Sequence, residues 1–331
     1  MCHNRRPRRI AVLVFDGVRT LDVTGPLEVF DVARTLGCAY TVALYSCGTS
    51  RSVRCSSGLS FETLSAAELP PEVDTLLIPG ATALVNDGVP HDLQQLIRAH
   101  APAVRRVASV CAGAFALGAA GLLEGRRATT HWRHLDTFAA RHPTTVVERD
   151  SVYTRDGELW TSAGVAAGID LALALVADDH GSDAAQQIAK ELVILGRRME
   201  GHPQISVAAR TPRPQHPELE RLMATVNTDP AGRYELDTVA AQLGLSARHL
   251  ARIFKAQVGM SLRQYVHEVR LENAVGLVLA GESFHAASQR SGLRYGAQVR
   301  DYLAAHCARP VRAPELLVDS GGAEAVPVYP G

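Results

Sequence analysis

Net charge is the first thing this 331-residue chain lacks, since 34 Lys and Arg are balanced by 34 Asp and Glu. A strongly basic total would point to nucleic acid at once, whereas a neutral one leaves the question to local charge. Bilayer-length apolar runs are also missing. The most apolar later stretch, Ala163 to Ala177, is broken by Asp170 and is shorter than a membrane span. The basic start, Met1 to Arg9, is followed by an apolar run of only Ile10 to Phe15, which is too short for a signal-peptide core and reads as a strand. Cys2, Cys38, Cys47, Cys55, Cys111 and Cys307 show neither metal-ligand nor disulfide-framework spacing. Dispersed thiols of this kind fit a reducing compartment. The expectation is a soluble, cytoplasmic protein with no metal, no cofactor and no membrane partner.

What is present is enough apolar material, 47% of residues, for two ordinary cores. From Arg9 to about Arg198, short β-branched runs alternate with helical spacing. Ile10–Phe15, Tyr40–Ser46, Asp74–Ile78 and Arg106–Val110 read as strands, nearly continuous as when helices cover both faces of a sheet. Pro26–Leu36 and His91–Ala101 read as helices, with Pro26 suited to a first helical position. Ala128–Thr130, Val146–Val147, Val152–Tyr153 and Leu159–Thr161 are further short strands, with a hairpin turn at Asp156-Gly157. Helices at 166–179 and 183–197 close the domain. Gly201, Pro203, Pro212, Pro214 and Pro217 then mark a linker over 199–217. Residues 218–315 read as all helix, and 316–331, rich in Gly, Ala and Pro, as a disordered tail.

The last third carries a local charge pattern. Asp237–Leu243 reads as a helix that stops at Gly244, where a tight turn needs a left-handed residue, and Ser246 can cap a second helix. On that helix Leu250, Ile253 and Phe254 form an apolar stripe. Arg248, Arg252 and Lys255 lie opposite, with His249 beside them. Between Ser246 and Gln264 there are four cations, Arg263 being the fourth, and no carboxylate. A helix anchored on one side and cationic on the other can enter the major groove. A surface helix with a solvated basic face has the same pattern.

Residues 218–314 resemble the DNA-binding region of the AraC/XylS family, two helix-turn-helix units joined by a long helix. The resemblance rests on Leu236, Ala240, Leu245-Ser246, Leu250, Phe254-Lys255, Gly259-Met260-Ser261, Tyr265 and Arg270-Leu271-Glu272 with Ala274. It implies a linking helix over Leu262–Leu279. The second unit, Phe284 to about Cys307 with its turn at Ser291-Gly292-Leu293, departs from the family pattern. Asp301 would repel phosphate, Ala304 and Ala305 cannot reach it, and Gly296 is expected to weaken the helix. The family's closing Gly-x-Ser-Pro is replaced by Ala308-Arg309-Pro310-Val311. The first unit is therefore expected to carry most specificity, with Arg294 and Arg300 touching only backbone.

Upstream, Arg106 to Ala114 reads as a strand, Cys111, small residues and a helix, the sequence form of a nucleophile elbow. Residues 9–198 resemble the ThiJ/PfpI superfamily, and the whole chain resembles the GlxA-type regulators, in which such a domain precedes an AraC-type one. The carrying residues are Asp22 to Phe30, Pro79-Gly80, Ser109 to Ala114, Gly121 to Leu123, Thr129 to Trp132 and Trp160 to Gly164. The resemblance implies a flavodoxin-like, glutamine-amidotransferase-like α/β sandwich, followed by an all-α domain with two helix-turn-helix units.

Enzymes of the superfamily pair the elbow cysteine with a nearby His or acid. Here the next residue is Ala112, which supplies no base, and His131 beside Trp132 is equally suited to a structural role. The expected function is regulation rather than catalysis. Double-stranded promoter DNA would be the partner, and a homodimer would pair two half-sites. Asp22, Cys111, Ala112 and His131 would line a small-molecule effector pocket. Two alternatives stay open: a hydrolase or hydratase using Cys111, and a protein-interaction module that has lost DNA binding.

Overall fold

The computed structural model describes residues 7–48, 50–194 and 197–306. The tail at 316–331 and the Ala308–Val311 segment, with Cys2 and Cys307, lie outside the described residues. A seven-stranded sheet runs in the order Tyr153–Asp156, Leu159–Ser162, Arg106–Val110, Thr75–Ile78, Arg8–Val14, Tyr40–Ser46, Leu64–Ser65. Every pairing is parallel except the Tyr153–Asp156/Leu159–Ser162 hairpin, where Gly157 takes a left-handed φ of 61°. Thr75–Ile78 and Arg106–Val110 are buried at every position, which is why they read as unbroken apolar runs. Arg106 is the exception in chemistry. Its guanidinium, 2% exposed, donates to Asp179 at 2.6 Å, and the Tyr40 hydroxyl donates to the same carboxylate at 2.7 Å. A charge buried this deeply is tolerable only when paired and hydrogen-bonded.

Pro26 does not open a helix. It sits inside Thr20–Thr35, where its ring removes one backbone bond. Packing carries the helix across that gap: a Cβ added to Gly168 would lie 3.5 Å from the Pro26 ring, and one added to Gly25 3.1 Å from Ile169. This helix and Ala167–His180 therefore lie backbone-close. The helix expected over 183–197 is shorter, Ser182–Glu191, followed by Val193 at a φ of 56°. Among the described residues Cys47, Cys55 and Cys111 are free.

The helical part comprises Pro217–Thr228, Leu236–Gln242, Ala247–Val258, Leu262–Leu279, Phe284–Arg290 and Ala297–His306. It holds two apolar cores of its own. One gathers Leu219, Val226, Leu250, Phe254 and Tyr265, and the other Ala274, Val275, Val278 and Val299. Leu262–Leu279 spans both, so a single 18-residue helix fixes the two halves relative to each other. Gly296 lies just before the last helix rather than weakening it. Its Cα runs against Phe284, where an added Cβ would meet the carbonyl oxygen at 3.1 Å. Among the described residues no helix is long and apolar enough to cross a membrane, and no metal-binding cluster of His, Cys, Asp and Glu occurs.

Candidate DNA interface and cysteine elbow

The cationic face is built by two devices. Gly244, at a φ of 67° with open space around it, turns the chain for conformational reasons alone. The Ser246 hydroxyl then accepts from the His249 N–H at 3.2 Å and starts Ala247–Val258. Leu250 and Phe254 are fully buried and Ile253 half-buried, which fixes the helix's rotation. Arg248, His249, Arg252 and Lys255 consequently all face solvent. Arg252 approaches the His249 ring at 3.3 Å. No carboxylate pairs with Arg248, Arg252, Lys255 or Arg263 among the described residues. The neighbouring Arg210, Arg213 and Arg221 are each tied to a Glu.

The second unit is different. Arg294 is exposed, and Arg300, also exposed, lies with its guanidinium 5.4 Å from the centre of the Phe284 ring. Arg290 is paired with Glu282, and Asp301 is exposed beside Arg300. Tyr295, 67% exposed, is a large side chain at this surface that charge-based reading passes over.

Cys111 sits at the C-terminal end of a central strand with a φ of 57°, in the left-handed region where a β-carbon is strained by about 1–3 kcal/mol. Two glycines hold it there. A Cβ on Gly164 would come within 2.2 Å of the Cys111 Cβ, and one on Gly80 within 2.9 Å. Gly80 also brings Asp22 and Ala112 together, since the same added atom would lie 2.8 Å from Asp22 Oδ2 and 2.7 Å from the Ala112 nitrogen. Asp22, fully buried, accepts from the Val165 N–H at 2.9 Å and the Gly80 N–H at 3.2 Å, with Cys111 beside it. Burial, only partly offset by those donors, raises the Asp22 carboxyl to about 6. Burial and then the Asp22 charge push the Cys111 thiol up to about 12.

His131 stands apart from this set. Its Nδ1 accepts from the Arg133 N–H at 3.3 Å, its ring lies 5.6 Å from that of Trp132, and burial lowers it to about 4. Among the described residues it makes no hydrogen bond to Cys111 or Asp22. The structure brings Asp22, Cys111 and Ala112 together, and beside them stand three supporting groups that the sequence did not single out. These are Val165, itself at a φ of 53°, the Thr130 hydroxyl that donates to the Cys111 carbonyl at 2.8 Å, and Arg19, whose charge bears on Asp22, Cys111 and His131. The motif Thr129-Thr130-His131-Trp132 was the available signal for Thr130.

An α/β domain with a cysteine elbow joined to a helical domain with helix-turn-helix units is the architecture of a DNA-binding regulator. The chain belongs to the DJ-1/PfpI family, which it matches over residues 8–178, and residues 239–312 match a helix-turn-helix domain. It is 28% identical over 289 residues to the HTH-type transcriptional regulator ArgR of Pseudomonas aeruginosa, covering 81% of this chain and 80% of that protein. It is 35% identical over 184 residues to an isonitrile hydratase of Pseudomonas putida, covering 56% of this chain and 77% of the relative. A crystal structure of a ThiJ/PfpI family protein from Pseudomonas syringae superposes with a TM-score of 0.53 at 22% identity, over 67% of this chain and 87% of that one. That similarity shows the fold alone.

Proposed function

We propose that this regulator reads double-stranded promoter DNA chiefly through Ala247–Val258, and that its α/β domain senses a small molecule and pairs two chains rather than catalysing a reaction. The observation that carries the reading is the outward set of Arg248, Arg252, Lys255 and Arg263, unpaired among the described residues, on helices whose other sides are buried. Unpaired cations on an anchored helix have lost nothing to internal partners and are available to phosphate and base edges. Arg294 and Arg300 supply secondary contacts to the backbone. Asp22, Cys111, Ala112 and His131 mark the effector region, at the strand ends where α/β sheets hold ligands. The working compartment is the cytoplasm. The test is mapping of bound chromosomal fragments by the purified full-length chain. Enrichment of a shared sequence, lost in an Arg248→Ala, Arg252→Ala double variant, is the expected result, and fragments bound equally by both proteins would overturn the assignment.

A non-catalytic elbow is supported by the state of the thiol. At pH 7 a group held up at about 12 is almost wholly protonated and is a poor nucleophile. Ala112 offers no proton acceptor, and His131 has its Nδ1 engaged elsewhere. One observation favours the hydratase alternative, namely the buried Asp22 carboxyl held beside the strained Cys111 elbow by the close approach of Gly80. Turnover of an isonitrile by the wild type, abolished in Cys111→Ala, would establish that reading instead.

A further inference from the structure

The segment that joins the two domains does not hang free. Arg198 is held by Asp170 through bonds of 2.7 and 3.0 Å, and the Val152 N–H donates to the His202 carbonyl at 2.8 Å. The Gly201 N–H donates to the Ser151 hydroxyl at 3.3 Å. Gln204 is fastened to the α/β side by its side chain. Its side-chain amide donates to the Thr130 carbonyl and to the Thr129 hydroxyl, each at 3.0 Å. Three residues later fastenings to the helical domain begin. The Val207 N–H donates to Glu272 at 2.8 Å, Val207 itself is buried in the first helical core, and Arg210 bonds Glu268 at 2.8 Å. Arg210 also pairs with Asp150 of the α/β domain at 3.6 Å, so contacts to the two domains overlap along the segment.

The two ends of this path are the two sites already described. Thr130 is bonded through its hydroxyl to the Cys111 carbonyl and through its own carbonyl to Gln204. Glu272 and Glu268 lie on Leu262–Leu279, the helix that spans both helical cores and so positions both helix-turn-helix units.

We propose that Arg198–Thr211 is a coupling strap: a displacement at the cysteine elbow passes through Thr130 and Gln204 to Val207 and Glu272, and resets how the DNA-binding units are presented. This rests on the reading of the elbow as an effector region. The strap itself is a physical claim about the ligand-free chain. Coupling is carried when packed, hydrogen-bonded elements share contacts, and demonstrating it requires a perturbation at one end read at the other.

Hydrogen exchange by mass spectrometry on the full-length chain makes that reading. Thr130→Val keeps the side chain's size and removes only its hydroxyl bond to Cys111. The expected result is exchange several-fold faster across 206–210, a segment that the hydroxyl does not touch. Thr130→Ser, which restores the hydroxyl, returns wild-type rates. Acceleration confined to 111–130, or Thr130→Ser behaving as Thr130→Val, overturns the proposal. If Thr130→Val does not fold, Glu272→Ala serves from the opposite end. It should accelerate exchange at 129–130, and unchanged rates there overturn the coupling. Binding of sheared double-stranded DNA, measured on the wild type, keeps the two readings apart. Its absence would remove the regulator function while leaving the exchange result to decide the strap.

Discussion

Neutralising Lys255 should flatten the salt dependence of DNA binding by a calculable amount. Lys255 is exposed, lies on the same helix as Arg248 and Arg252, and is bonded to no carboxylate among the described residues. Each cation that meets a phosphate releases condensed counterions and adds about 0.9 to the slope of log affinity against log salt. Raising salt from about 50 to about 200 mM should then weaken binding about 3.5-fold per contact. Counting Arg248, Arg252 and Lys255 alone, the wild type should lose about 40-fold over that range and Lys255→Gln about 12-fold, each further phosphate contact multiplying both losses equally. Fluorescence anisotropy with sheared double-stranded DNA is sufficient, because the electrostatic contribution does not depend on sequence. Arg221→Gln is the control, its guanidinium being held by Glu218 at 2.8 Å on another helix. Parallel salt slopes for wild type and Lys255→Gln, or an equal effect in the control, would refute the assigned face.

Leu250→Ala should remove about 2–5 kcal/mol from the helical domain, as expected for a fully buried leucine. The α/β core contains none of that leucine's neighbours, so calorimetry should show one transition falling and the other staying in place. A single transition moving as a whole would contradict separate cores. Asp22 should make the α/β domain less stable as pH rises. Its folded pKa of about 6 exceeds the ordinary 3.8, so the stability it contributes is present below about pH 4 and is lost as pH climbs through 6. The loss is on the order of 3 kcal/mol. Asp22→Asn should flatten denaturant midpoints between pH 4 and 7, while His131 and His202, both lowered to about 4, act equally in the two proteins. Parallel curves would show that the carboxylate is not strained by burial. Finally, iodoacetamide should label Cys111 far more slowly than a free thiol at pH 7.5, and Cys111→Ala should retain DNA binding; rapid labelling traced to Cys111 by mass spectrometry would contradict a protonated, buried thiol.

Local physics made much of this molecule legible from its residues. Thr75–Ile78 and Arg106–Val110 were readable as strands because burial on both faces demands nearly unbroken apolar runs. The helix Ala247–Val258 was readable because Gly244 and Ser246 do their work within a few residues of where they stand. Features that depend on distant partners were not. Nothing near Arg106 announces Asp179, 73 residues away, and Asp22 finds the Val165 N–H across 143 residues. Pro26 misled because its usual helix-start preference is local, while the packing against Gly168 that keeps it inside a helix is not. In the same way, prolines and glycines at 199–217 signal only the lack of regular structure. They do not reveal that the segment is bonded on both sides.

That bonding has a consequence for the size of any signal between the domains. Allosteric coupling free energies are typically about 1–3 kcal/mol, and a single intramolecular hydrogen bond contributes about 0.5–1.5 kcal/mol net. At the joint, Gln204 makes two bonds to Thr129 and Thr130, and Val207 makes one to Glu272. Breaking or remaking these three is therefore on the scale that regulation needs, without any change in either domain's core. A longer free linker would transmit nothing, and a fused interface would have to rearrange packed side chains to move at all. The strap lies between these limits because its hold on the α/β domain is polar and its hold on the helical domain adds a single buried apolar side chain, Val207. In the proposed coupling, what Thr130 senses at the strained elbow is the position of the Cys111 carbonyl and not the reactivity of its thiol.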